Sequence, residues 1–330
     1  MANYLQRAGG PACDPALRHG VCFATLAQGP HHLQLLVKRF APLSESPDMR
    51  ILSAASSFAH PRSLPLLALA CALGCVHAPL AGCSVMKQAN AEASVAASAT
   101  VSEAPSVSAE TANGFIEVRK GGEQLTVQAL IRATTQARAD AVAVNTVTTD
   151  DGSVRITLDW PGGKRESNEG ASLVITLPEA SSLELRSSNG RIEVGPGFAA
   201  SQAMLVSSNG AILVSDFAGK VFADTSNGRI ELLDVNGANA DTSNGAINVV
   251  LRDSAKGPVT LDTSNGAISL TFGSSLEGTI DLDTSNGSIS VQAPRATSVS
   301  LDRSSGKVVL SAGGTSVLDT SNGSITVKQR

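Results

Sequence analysis

The sequence is poor in the residues that most catalytic and metal chemistry needs. All five histidines (His19, His31, His32, His60 and His77) and four of the five cysteines (Cys13, Cys22, Cys71 and Cys75) precede Cys83. From Ser84 to Arg330 there is neither residue. That part of the chain therefore has no Ser-His-Asp or Cys-His nucleophile, no histidine general base, no His/Cys zinc site and no cofactor to expect. It also has no disulfide, so its stability must come from a packed core. Aromatics after Cys83 are limited to Phe115, Trp160, Phe198, Phe217, Phe222 and Phe272, a thin set for stacking on sugars. Phe198, Phe217, Phe222 and Phe272 are expected in the core, and the short spacers between copies offer no irregular loops to shape the cleft that a carbohydrate-active enzyme needs. Basic runs are missing too. Of 25 Lys/Arg and 29 Asp/Glu, six and three precede Cys83, leaving 19 against 26 and a net charge of −7 in residues 84–330. Such a surface repels phosphate backbones and excludes nucleic acid as a partner.

What the chain has in abundance is one bend, repeated. The stretch LDTSNGAISL (Leu261–Leu270) returns with small changes from Ala240, Leu282 and Leu318. Its glycine recurs as Gly190, Gly210, Gly228, Gly245, Gly266, Gly287, Gly306 and Gly323, a mean step of about 19 residues. Steps of that size point to solenoids. Two residues after the glycine every copy has Ile or Val (Ile192, Ile212, Ile230, Ile247, Ile268, Ile289, Val308 and Ile325), and four after it Val or Leu. The residues between are polar, which is period-two strand patterning on both sides of a bend. Asn-Gly alone would predict a type I′ hairpin with two positive-φ positions. A hairpin does not require the preceding Ser and Thr to be fixed as well, whereas stacked coils turn such residues into hydrogen-bonded ladders and the apolar columns into one core. The expected fold is all-β: a single, parallel β-helix-like solenoid of about eight regular coils, preceded by irregular introductory strands between Thr111 and Ala180 that cap its first cross-section.

The front of the chain predicts export. An apolar run from Leu64 follows Arg50 and Arg62 and ends in Leu80-Ala81-Gly82-Cys83. His77 and Pro79 break it, so it reads as a signal peptide rather than a membrane span. Its ending resembles the bacterial lipobox, in which the cysteine thiol is acylated and becomes the first mature residue; Cys83 is then the lipid anchor and Cys75 a weaker rival. The expected organisation is residues 1–48 as an extension upstream of the true start, 49–82 as signal peptide, 83–110 as lipidated cysteine and flexible Ser/Ala tether, and 111–330 as solenoid.

With lipobox, tether and Thr-Ser-Asn-Gly-x-Ile-x-Val repeats together, the chain from about Thr111 to Arg330 resembles the bacterial "putative adhesin" family of envelope β-solenoids. The seventh copy, Arg303-Ser304-Ser305-Gly306, departs and is expected to interrupt one rung of an asparagine ladder. The resemblance implies a cell-surface β-solenoid and supplies no catalytic residues. The expected function is a non-enzymatic, lipid-anchored envelope protein presenting a rigid surface for adhesion or scaffolding, with the membrane and an envelope protein or polysaccharide as partners. The alternative is a carbohydrate-binding or carbohydrate-modifying β-helix. The one candidate cation site is the column Asp224, Asp241, Asp262, Asp283, Asp302 and Asp319, for which a turn-stabilising or solvated role is the stronger expectation.

Overall fold

Val, Ile, Leu and Thr alternate with Ser, Asp and Asn through most of the chain, and the structure is accordingly almost all β. In the computed structural model the chain divides into two units, Met1–Leu80 and Ala81–Arg330. The structure describes residues 90–101 and 104–330, all in the second unit. They form one mixed sheet of 21 strands with one short helix, α1 (Gln136–Asp140).

In chain order the first strands are β1 (Ala91–Ala99), β2 (Ser106–Thr111), β3 (Ile116–Lys120), β4 (Leu125–Ala133), β5 (Ala143–Thr148), β6 (Val154–Asp159) and β7 (Gly170–Leu177). There follow β8 (Ser182–Ser187), β9 (Ile192–Val194), β10 (Gln202–Ser207), β11 (Ile212–Thr225), β12 (Ile230–Thr242), β13 (Ile247–Leu251), β14 (Thr260–Thr263) and β15 (Ile268–Phe272). The last are β16 (Thr279–Thr284), β17 (Ile289–Gln292), β18 (Ser298–Leu301), β19 (Ser305–Val309), β20 (Thr315–Thr320) and β21 (Ile325–Gln329).

The strands flanking each Asn-Gly bend do not pair with each other. Each pairs in parallel, and in register, with its equivalents in neighbouring copies: Ile116 lies beside Ile192, which lies beside Ile212, then Ile230, Ile247 and Ile268. This is a stack of coils, and the columns of Ile, Val and Leu form its buried core together with Phe198, Phe217 and Phe272. The first regular coil is β2 with β3, around the bend at Gly114, so the repeat begins one coil earlier than the spacing from Gly190 predicts.

The order of stacking then departs from the order of the sequence. After β15 the chain skips one layer, forms the outermost coil with β16 and β17, and turns back through an antiparallel hairpin, β18–β19, laid against β16. The final segment fills the skipped layer. β20 lies between β14 and β16, and β21 between β15 and β17. The two linkers meet where this crossing occurs: Thr279 N–H donates to the Gly314 carbonyl at 3.0 Å, and Gly278 adopts φ 90°. The copy around Gly306 is therefore a hairpin and not a coil, a correction to the expected series. Its bend lacks the asparagine and threonine that bind one coil to the next.

At the other end antiparallel strands close the stack. β7 pairs in parallel with β3 and antiparallel with β4, and β4 antiparallel with β1, while on the opposite side β6 pairs in parallel with β2 and antiparallel with β5. The free edges of β1 and β5 then approach, Thr146 Oγ1 donating to the Ser98 carbonyl at 3.4 Å. Part of the expected tether is thus strand. Ala91, Ala93, Val95 and Ala97 alternate with polar residues and pack on the core, because small apolar side chains suffice where a strand only covers an existing sheet.

The cap is pinned by a buried carboxylate that no motif announces. Glu169 is 0% exposed and accepts from Arg138 Nε and Nη2 at 2.8 and 2.7 Å, Thr134 N–H and Oγ1 at 3.1 and 3.2 Å, and Glu166 N–H at 2.9 Å. The Arg138 hydrogen bonds outweigh burial and hold its pKa at about 2, below the ordinary 4.5. The stabilisation is therefore complete above pH 4.5 and is lost as pH falls toward 2. Glu169→Gln is expected to destabilise the cap by about 3 kcal/mol, since it strands a guanidinium on a neutral partner. Melting temperatures measured from pH 7 to 2 should converge with those of the wild type at the acid end.

Candidate functional site

The most ordered polar feature is the row of bends. An asparagine carboxamide both donates and accepts, so identical asparagines meeting at strand spacing can link end to end. Asn189 Nδ2 donates to Asn113 Oδ1, and the same bond repeats through Asn209, Asn227, Asn244, Asn265, Asn322 and Asn286, each at 2.5–2.9 Å. Asn113 Nδ2 donates to the carbonyls of Ser167 and Glu169, both at 2.8 Å. Carbonyls only accept, so these two contacts orient every amide beyond them. The ladder has no missing rung. The expected interruption at Ser305 does not occur, because the intercalated last coil brings Asn322 between Asn265 and Asn286.

Beside the amides runs a row of hydroxyls. Ser207 Oγ accepts from Gly210 N–H in its own bend and donates to the Gly190 carbonyl of the preceding coil; Thr225 and Thr242 do the same with Gly228 and Gly210, and with Gly245 and Gly228. Thr263, Thr320 and Thr284 continue the donation, at 2.8–2.9 Å. The glycines are needed for closeness. A Cβ on Gly266 would lie 1.8 Å from the Gly245 carbonyl oxygen, with 1.7–1.9 Å at the equivalent glycines. None of these bend glycines has positive φ, so the expected type I′ geometry is corrected: backbone contact between coils, not backbone conformation, excludes a side chain.

Outside the bends the strands display rows of side chains. Asp224, Asp241, Asp262, Asp319 and Asp283 stand in register on adjacent strands, while Asp302 lies in the hairpin bend, its N–H donating to the Ser305 carbonyl at 2.9 Å. The row is exposed and spread along the stack. Partial desolvation, and then the neighbouring carboxylates, raise the Asp241 and Asp262 carboxyls above their ordinary value. Among the described residues no three acidic, His or Cys side chains converge where a metal ion would sit.

Two positions before Asp224, on the same outward side, lies Phe222, and beside it on the neighbouring strand Met204, 42% exposed. Phe222 was expected in the core; instead it is only half-buried, with Lys220 Nζ 4.9 Å from its ring centre. Parity could have placed it, since inward residues sit at odd offsets before the bend glycine and Phe222 is six before Gly228. The concavities on the strands are shallow: one of about 200 Å³ is lined by Ser108, Arg155, Glu184 and Arg186, and one of about 310 Å³ by Asp281, Asp283 and Lys307.

Cys83, the expected lipidation site, lies outside the described residues, as does the rival Cys75.

The family model of Toastrack DUF4097 matches residues 116–327. Among curated proteins none matches the sequence. Solved structures to which the chain is similar include a "putative adhesin" from Parabacteroides distasonis, at 9% identity over 74% of this chain and 99% of that one, with a TM-score of 0.39. Others are a "putative cell adhesion protein" from Clostridium sporogenes, at 14% identity over 72% and 100% of the two chains with a TM-score of 0.29, and a "putative lipid binding protein" from P. distasonis, at 13% over 73% and 98% with a TM-score of 0.31. The matched segment runs from the first coil to the intercalated last one, and on it the chain belongs to the Toastrack DUF4097 family.

Proposed function

We propose that the chain is a non-enzymatic cell-envelope protein, anchored through a lipid on Cys83, whose stacked coils present a rigid surface for adhesion or envelope scaffolding. The observation that carries this reading is where the repeat's polar groups are committed. Its asparagine amides bond to one another and its threonine hydroxyls to the glycine carbonyls of adjacent coils. Groups held this way stiffen a surface and are not free to attack or to exchange protons with a substrate. What faces outward is a set of rows at the spacing of adjacent strands, about 4.8 Å, suited to many weak contacts along an extended partner. The export signal ending in Leu80-Ala81-Gly82-Cys83 supports placement in the envelope, with sorting to the outer membrane favoured by Ser84 after the cysteine.

The outward Phe222 supports a second reading, a carbohydrate-binding surface, because an aromatic ring flanked by polar rows can receive a sugar face. The two readings separate in a pull-down from surface-labelled cells, where captured protein supports the first, and polysaccharide that the wild type captures and a Phe222→Ala variant loses supports the second.

The anchor has its own test. Mass spectrometry of the native mature N-terminus is expected to find acylated Cys83, and Cys83→Ala to remove the protein from the membrane fraction. A mature chain that starts elsewhere, or carries no acyl mass, contradicts the anchor.

A further inference from the structure

The two ends of the stack are finished differently. At the cap end both sides continue past the first coil, and the edges of β1 and β5 meet. At the far end only one side continues: β19 and then β18 extend beyond β16, while nothing among the described residues pairs with the outer edge of β17. Among the described residues no strand fills the layer opposite the hairpin.

That layer has the chemistry of an interior one. In the inner coils the N–H of the first strand isoleucine donates outward to the next coil, as Ile268 does to the Ser324 carbonyl and Ile325 to the Ser288 carbonyl, both at 2.9 Å. The N–H groups of Ile289 and, by alternation, Val291 therefore point into that layer. On the hairpin side, Val299 pairs with Val308 and Leu301 with Gly306, which places both on the core face beside Ile280 and Leu282. They are nonetheless 45% and 44% exposed, because no strand among the described residues lies opposite. Arg303 borders the layer beside the bend of Asn286 and Gly287, and Arg295 follows the other end of β17. Neither has a carboxylate partner among the described residues.

We propose that this half-layer is a strand-acceptor site for an extended segment of a partner polypeptide, with alternating apolar residues and an acidic residue at each end. The backbone of the segment continues the sheet from β17, its apolar side chains cover Val299 and Leu301, and its acidic ends meet Arg303 and Arg295. The site is separate from the outward rows on which the proposed function rests. A second copy pairing through its own β17 does not fit, since a two-fold axis there brings the second copy's β16 onto β19.

The test uses the full chain and a synthetic ten-residue peptide of alternating valine and threonine ended by aspartates, followed by fluorescence anisotropy and amide hydrogen exchange. The peptide is expected to bind and to slow exchange at Ile289 and Val291. Arg303→Glu with Arg295→Glu, both exposed, should weaken binding about tenfold. Val299→Asp with Leu301→Asp should weaken it at least about tenfold with the melting temperature kept, whereas Met204→Asp on the outward face should leave it unchanged. Absence of binding, unchanged exchange at Ile289 and Val291, equal binding of a peptide ended by lysines, or equal weakening by Met204→Asp overturns the proposal. So does slow exchange at those two amides before peptide is added, in a concentration-dependent dimer, which assigns the layer to a second copy.

Discussion

Gly266→Ala is expected to destabilise the protein by about 4 kcal/mol or more, an exceptional loss for one methyl group on a bend. The new Cβ would meet the Gly245 carbonyl oxygen at 1.8 Å, and the obstacle is backbone, which cannot rotate away. Relief requires coils to separate where the Asn265–Asn244 and Thr263–Gly245 hydrogen bonds, both 2.9 Å, hold them together. The damage should therefore reach both neighbours. Gly266→Asn separates this cause from a conformational one. Asparagine tolerates left-handed backbone and would be accepted if positive φ were the requirement. Contact between coils makes Asn as damaging as Ala, and equilibrium denaturation of the two variants checks it.

The second large effect reverses what a stack in sequence order implies. Ile325 lies in the last coil of the sequence, where an end coil with one neighbour would fray. In the structure Ile325 sits between Ile268 and Ile289 and is 0% exposed. Ile325→Ala is thus expected to destabilise by about 2–5 kcal/mol, as much as Ile268→Ala, because the cavity is closed on both sides. Ile289, half-buried in the outermost coil, should lose only about 1 kcal/mol on truncation. Denaturant midpoints for the three variants give the ranking directly.

The repeat made the coils legible because it fixes chemistry as well as polarity. Alternation alone fits hairpins or coils, but constant Thr, Ser, Asn and Gly at a bend are needed only where each copy touches the next. The inward columns and the shared outward face of the aspartates followed from parity. The layer order did not, because every repeat presents the same edges and is compatible with any neighbour. The clues were weak local ones: Gly313-Gly314 and Gly278 at the crossing, and the loss of Thr and Asn at Arg303–Ser305, which marks the copy that leaves the stack. Nor was the cap legible. Glu169 acts through partners between 3 and 35 residues away, with no spacing that signals them, and β1 hides in a composition that suits a tether because its alanines have only to cover a finished sheet.

Segment-resolved hydrogen exchange tests the intercalated stack most directly. Residues 315–329 are expected to be as strongly protected as residues 260–272, and both more than residues 288–292. A gradient falling steadily along the sequence from 260 to 330, with the final segment least protected, would contradict the order of layers and the ladder that runs through Asn265, Asn322 and Asn286.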